Sequence, residues 1–81
     1  MKIISLQETK MISGGLCAMK SRNVFKILND EGFSPIRQRG SHIFFQHDDG
    51  RTVTVPNHDV IKVGTLRSIA EQSGVDFGDY C

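Results

Sequence analysis

The residues with the means to do chemistry are three histidines and a group of basic side chains. His42 follows Gly40 and Ser41, and Arg37 and Arg39 come just before that pair. An imidazole that titrates near neutrality, set among guanidinium groups, suits cleavage of RNA by its own 2′-hydroxyl. A base removes the hydroxyl proton, an acid protonates the leaving oxygen, and cations stabilise the charge that builds on phosphorus. Arg37, Arg39 and Lys62 are the candidate phosphate ligands, the arginines through paired N–H groups. Ser41 could donate to a phosphate oxygen, and Gly40 has no side chain to hold a ligand backbone away. His58 lies beside Asp59 and is a candidate second proton-transfer group, against the blander reading of a solvated loop histidine. His47 ends an apolar run next to Asp48 and Asp49 and reads as a half-buried or turn-stabilising residue. The histidines lack zinc-ligand spacing, and Cys17 and Cys81 form no CxxC, so neither a metal nor a cofactor is expected. A nucleophile elbow, a Walker loop, HExxH and a dinucleotide fingerprint are all missing from the sequence.

These residues need elements to hold them. Val24, Phe25, Ile27 and Leu28 recur at helical spacing behind Ser21, a potential N-cap, and Gly32 fits the position just past a helix end. A first helix over about 21–31 follows. Three strands are expected next: Phe33 to Arg39, with Pro35 marking an edge or a bulge; His42 to His47; and Arg51 to Val55, ended by Pro56. Gly40-Ser41 and Asp48-Asp49-Gly50 supply the turns. Residues 57–62 read as a loop. A second helix spans about 63–73 with Leu66, Ile69 and Ala70 on one face and Gly74 as its stop. Phe77 belongs to a tail that either packs or frays. The order is α-β-β-β-α, an α+β fold with a three-stranded antiparallel sheet and two helices on one face.

Side chains alternate across a strand, so the sheet has two different faces. Ile43 and Phe45 fall on the helix-covered side with Val53 and Val55. His42, Phe44, Gln46, Thr52 and Thr54 fall on the open side. If Ile36 points inward, Arg37 and Arg39 join them there. An open face with a histidine, two arginines and an aromatic ring that could stack on a base is a candidate RNA surface.

Eighty-one residues make one small domain with a thin core, too small to enclose a large substrate. At 38% hydrophobic and 23% charged, the composition is that of a globular chain, and no apolar run is long enough to span a membrane. The net charge of +1 hides an asymmetry. Residues 20–67 carry eight basic against five acidic residues, a surplus of three, whereas the segment from Ser68 onward has three acids and no base. A basic body suits a polyanionic partner. The two distant cysteines are expected to be reduced thiols of a cytoplasmic protein. Residues 1–18 read as an N-terminal extension, with Met19 an alternative start; Ile4, Ser5, Glu8, Ile12, Gly14 and Gly15 also resemble a double-glycine leader.

Met19-Lys20-Ser21-Arg22, Gly32-Phe33, Gly40-Ser41-His42, Val53-Thr54-Val55-Pro56 and Gly64-Thr65-Leu66-Arg67-Ser68-Ile69 together resemble the HicA (YcfA-like) toxins. Each motif alone is weak; their order and spacing are specific. The resemblance covers about residues 19–75, leaving 76–81 as a C-terminal tail. It implies a double-stranded-RNA-binding-domain-like fold and an mRNA interferase of a type II toxin–antitoxin pair. Such an enzyme is an endoribonuclease that arrests translation by cleaving mRNA. It implies His42 as the catalytic residue and a HicB-type antitoxin that masks the active surface. DNA binding is expected from that antitoxin and not from this chain. Many members carry a second histidine directly after the first; here it is Ile43, which the alternation places in the core. A non-catalytic RNA-binding module of the same fold and a protein-interaction domain are the alternatives. RNA cleavage, as against a gel shift without cleavage, separates the first of these from the toxin.

Overall fold

The computed structural model describes residues 16–81. Residues 1–15, most of the expected extension, lie outside the described residues. The order is β1 (Met19–Lys20), α1 (Ser21–Asp30), β2 (Phe33–Arg39), β3 (His42–His47), β4 (Thr52–Pro56), β5 (Val60–Ile61), α2 (Val63–Ser73) and a 3-10 turn at Phe77–Tyr80. Strands β2, β3 and β4 form an antiparallel sheet in that order. Both helices lie on one face of it. Val24, Ile27 and Leu28 of α1 and Leu66 and Ile69 of α2 share a single core with Phe33, Phe45, Val53 and Val55 of the sheet. The fold is therefore the expected α+β arrangement of the double-stranded-RNA-binding-domain type.

The helices begin and end for different reasons. Ser21 does not cap α1. Lys20 stands at the cap position without a side-chain hydrogen bond, and Ser21 is the first, buried, helical residue. Its N–H donates to the Asp59 carbonyl at 3.1 Å, so a tertiary contact does the work a local cap would have done. Gly32, at φ +94°, ends the helix and leads into β2. α2 spans Val63–Ser73 as expected and stops at Gly74, whose φ of +75° and N–H bond to the Ala70 carbonyl at 2.8 Å close the last turn.

Three features depart from the expected elements. β4 starts at Thr52 because Arg51 belongs to the turn, where its N–H is taken by the Asp49 carboxylate at 3.0 Å. Val60–Ile61, within the expected loop, pairs antiparallel with Met19–Lys20. Two-residue strands carry no alternation to read, and their pairing is set by distant neighbours. The cysteines are not free thiols: Cys17 and Cys81 are joined in a disulfide with Cα atoms 5.8 Å apart. Sequence separation hid this, because the fold brings the segment before β1 against the end of the chain.

The C-terminal segment is docked. Phe77 and Val75 are buried in the core, and the Tyr80 hydroxyl donates to Glu31 Oε2 at 2.9 Å. Leu16 and Met19 pack against the same core from the other end. Arg51 ties the sheet to α2: its guanidinium grips Asp49 through Nε, lies 5.2 Å from the centre of the Phe33 ring, and donates through Nη1 to the Ser73 carbonyl. No helix among the described residues is long and apolar enough to cross a membrane.

Candidate nucleic-acid interface

The open face of the sheet is built by register. Arg39, His42 and Pro56 form one row across β2, β3 and β4; Arg37, Phe44 and Thr54 form the next; Ser34, Gln46 and Thr52 form the third. Directly opposed side chains on one face of antiparallel strands start about 5 Å apart, so each row is a set of adjacent positions. No carboxylate stands in these rows, which hold two arginines and a histidine.

Two-fold alternation by itself would not produce this face. Phe33 is buried, and strict alternation from it would turn Arg37 and Arg39 inward. The pairing shifts between Pro35 and Arg37, so Ile36 is an extra residue bulged out of the ladder. Ile36 is 53% exposed, not inward as the sequence reading supposed. The arginines reach the open face because the bulge resets the phase, while Pro35 still pairs with the core residue Phe45.

The Arg37 guanidinium lies 4.8 Å from the centre of the Phe44 ring. This cation–π contact holds the planar guanidinium across the sheet, where its outer surface faces the solvent side. Phe44 was expected on this face, but its pairing with Arg37 was not, because the bulge decides which β2 residue opposes it.

Gly40 and Ser41 form the two-residue turn joining Arg39 to His42. Gly40 has φ +58°, and a Cβ placed on it would meet nothing within 4 Å. Glycine is thus required here by backbone conformation, and the space above it is open to a ligand. Gln38 steadies the turn by donating from Nε2 to the Gly40 carbonyl at 3.0 Å. Ser41 and His42 are exposed. The Ser41 carbonyl accepts the Asn57 N–H, which ties the start of the 57–59 loop to the turn. Asn57 was not singled out from the sequence, and nothing in its type or spacing marks it.

The structure therefore brings together Arg37, Arg39, Gly40, Ser41 and His42. Lys62 lies apart from these rows, as the exposed residue before α2, with its carbonyl accepting the Leu66 N–H at 2.8 Å. His58 is exposed in the loop that Asn57 anchors to the turn. His47 lies on the other face. Its ring meets Phe33 edge-on at 5.1 Å between centres, and its Nδ1 accepts the Asp49 N–H at 3.0 Å. It is a half-buried, turn-stabilising residue, as its place in the sequence suggested. The Asp49 carboxyl is held below the usual carboxylate range, first by the Arg51 backbone N–H and then by its guanidinium, with burial opposing them. Among the described residues no three histidine, cysteine, aspartate or glutamate side chains cluster as metal ligands would.

The chain is a small α+β domain whose fold is like that of double-stranded-RNA-binding domains, with a basic, histidine-bearing sheet face. The family model described as the HicA toxin of bacterial toxin–antitoxin systems matches residues 21–75, and the chain belongs to that family. The matched span contains every residue of the face described above. No curated protein gives a match to the chain.

Proposed function

We propose that this toxin is an endoribonuclease that cleaves mRNA and arrests translation, with His42 as its proton-transfer residue. The observation that carries the reading is the row in which His42 and Arg39 are direct cross-strand partners on a face without carboxylates. Arg37 and Arg39 hold the scissile phosphate and its neighbour. Ser41 donates to a phosphate oxygen, and Gly40 lets the RNA backbone come close to the turn. His42 takes the 2′-hydroxyl proton or returns one to the leaving oxygen, while arginine charge stabilises the phosphorane-like transition state. Lys62 contributes to the more distant phosphate path. The proposed partners are an mRNA substrate and a HicB-type antitoxin docked over the same face, in the cytoplasm, with no direct DNA binding by this chain.

A second reading has one observation in its favour. His42 is the single proton-transfer group in the three rows, where cleavage usually employs two. A non-catalytic RNA-binding domain would use the same face through phosphate and shape contacts.

The deciding experiment is inducible expression in bacteria of the native chain and of His42→Ala, following growth and bulk mRNA together. His42 is exposed, so its replacement is expected to change stability by no more than about 0.5 kcal/mol. Arrest with mRNA loss for the native chain alone supports the enzyme. A folded His42→Ala chain that still degrades mRNA removes His42 from the mechanism. RNA gel shifts without cleavage by the native chain favour the binding domain.

A further inference from the structure

The Cys17–Cys81 bond does more than join two ends, because the elements at its two ends are held very unequally. On one side, Phe77 and Val75 are buried in the core and Tyr80 is bonded to Glu31, so the segment leading to Cys81 is firmly anchored. On the other, Cys17 leads into β1; this end gives the core only the half-buried Leu16 and Met19, and β1 makes only the pairs Met19 with Ile61 and Lys20 with Val60. A ladder of two residues per strand is marginal by itself. The disulfide fastens this weak ladder to the anchored end.

We propose that the Cys17–Cys81 disulfide is a redox-operated clasp, a modification site at which a cellular dithiol sets how tightly β1, β5 and the loop beside the Gly40-Ser41 turn are held. Cys17 is half-buried and lines an open cleft of about 320 Å³ with Met19, Asn23, Lys26, Ile27, Asp30 and Tyr80, and Cys81 is itself exposed, so a thiolate can reach the bond from the Cys81 side. The exchange balances. A thiolate of the reductant attacks Cys81 Sγ and expels the Cys17 thiolate, which takes up a proton. The reductant's second thiol then attacks the mixed disulfide and releases the Cys81 thiol. The reductant leaves as a disulfide, two hydrogens poorer, and the protein gains those two hydrogens.

The effect reaches the candidate site by contacts already described. Releasing Cys17 loosens β1, and with it β5 and the Ser21 N–H bond to Asp59. The 57–59 loop, which carries His58, is then held chiefly by β4 and by the Asn57 bond to Ser41. The effect is also global. The disulfide spans a sequence separation of 64, and a closed loop of that size raises the folded-to-unfolded ratio about a thousandfold in the chain-entropy picture. The oxidised chain is thus the more stable form.

The test uses the full chain equilibrated in a series of reduced and oxidised glutathione buffers, with dithiothreitol as the reducing limit. Peptide mapping reads the Cys17–Cys81 link, hydrogen exchange reads the amides at 19–21 and 60–61, and urea unfolding reads stability. The expected result is a linked peptide in oxidising buffer, and on reduction a lower urea midpoint with faster exchange at 19–21 and 60–61 than at Leu66 and Ile69. Cys81→Ser in oxidising buffer should match the reduced native chain. Should that variant misfold, the reduced native chain still reports the open clasp with no substitution. The proposal is overturned if no linked peptide forms, or if reduction leaves both the urea midpoint and exchange at 19–21 and 60–61 unchanged. None of these readouts involves RNA, so failure here leaves the nuclease reading standing, and failure of that reading leaves the clasp.

Discussion

Gly32 offers the sharpest test of how the helix end and the first hairpin are locked together. It has φ +94°, and a Cβ added to it would lie 2.7 Å from His47 Nε2 and 3.0 Å from His47 Cδ2. Gly32→Ala therefore meets two obstacles. A left-handed backbone is worth about 1–2 kcal/mol against alanine. The imidazole must also move. Movement weakens its edge contact with Phe33, worth about 0.5–1.5 kcal/mol, and its hydrogen bond from the Asp49 N–H, worth about as much. The stiffer unfolded chain returns about 0.4–1 kcal/mol. The net expectation is a loss of about 2–4 kcal/mol, a fall in melting temperature on the order of 15 °C for a domain of this size. Thermal and urea unfolding measure it, and a cycle with His47→Ala separates the two causes. In the His47→Ala background Gly32→Ala should lose only the backbone part, about 1 kcal/mol. If Gly32→Ala stays within about 0.5 kcal/mol of the native chain, the positive-φ argument fails. If the loss is equal in both backgrounds, His47 is not the obstacle.

Other perturbations test the face and the turn. Arg37→Ala and Arg39→Ala, made in a non-cleaving His42→Ala chain, should each lower the salt dependence of RNA binding by about one unit of slope. An unchanged slope in a gel-shift salt series would remove that arginine from the phosphate path. His58→Ala should slow RNA cleavage about a hundredfold if the loop supplies the second proton-transfer group; an unaltered rate excludes it. Asp49→Asn should destabilise the chain at neutral pH. The folded-state carboxyl titrates below its ordinary value, so its contribution is present above about pH 4 and disappears as pH falls through the lowered pKa. Urea unfolding of both chains should accordingly converge in acid, and a gap that persists there would show that the charge is not the cause.

Much of the fold could be read from residue order because its signals are local. The Val24, Ile27 and Leu28 stripe, the Asp48-Asp49-Gly50 turn and the Gly74 stop each depend on a few neighbouring residues. The alternation in β3 and β4 placed Phe45, Val53 and Val55 inside and His42 outside for the same reason. What escaped was non-local. The β1–β5 pair and the disulfide join residues far apart in sequence. The start of α1 relies on Asp59 where a local serine cap was expected. In the face, His42, Ser41 and Gly40 were readable because a two-residue turn defines its own geometry. The arginines were assigned to the correct side through a wrong premise about Ile36. A bulge depends on how two strands meet, and Pro35 alone only hinted at it.

The bulge has a consequence for how the chain tolerates change in length. Ile36 is the one β2 residue without a partner in β3: Pro35 pairs with Phe45 and Arg37 with Phe44. Excising it would leave Phe33 on the helix-covered side and Arg37 and Arg39 on the open side, now in unbroken alternation. A strand interior is ordinarily where a one-residue deletion does most harm, since it transposes every side chain beyond it to the opposite surface. Here the deletion would instead straighten the strand and preserve both surfaces. The middle of β2 is thus a point at which this chain can lose a residue, with twist the property that changes and the arrangement of the arginines the property that endures.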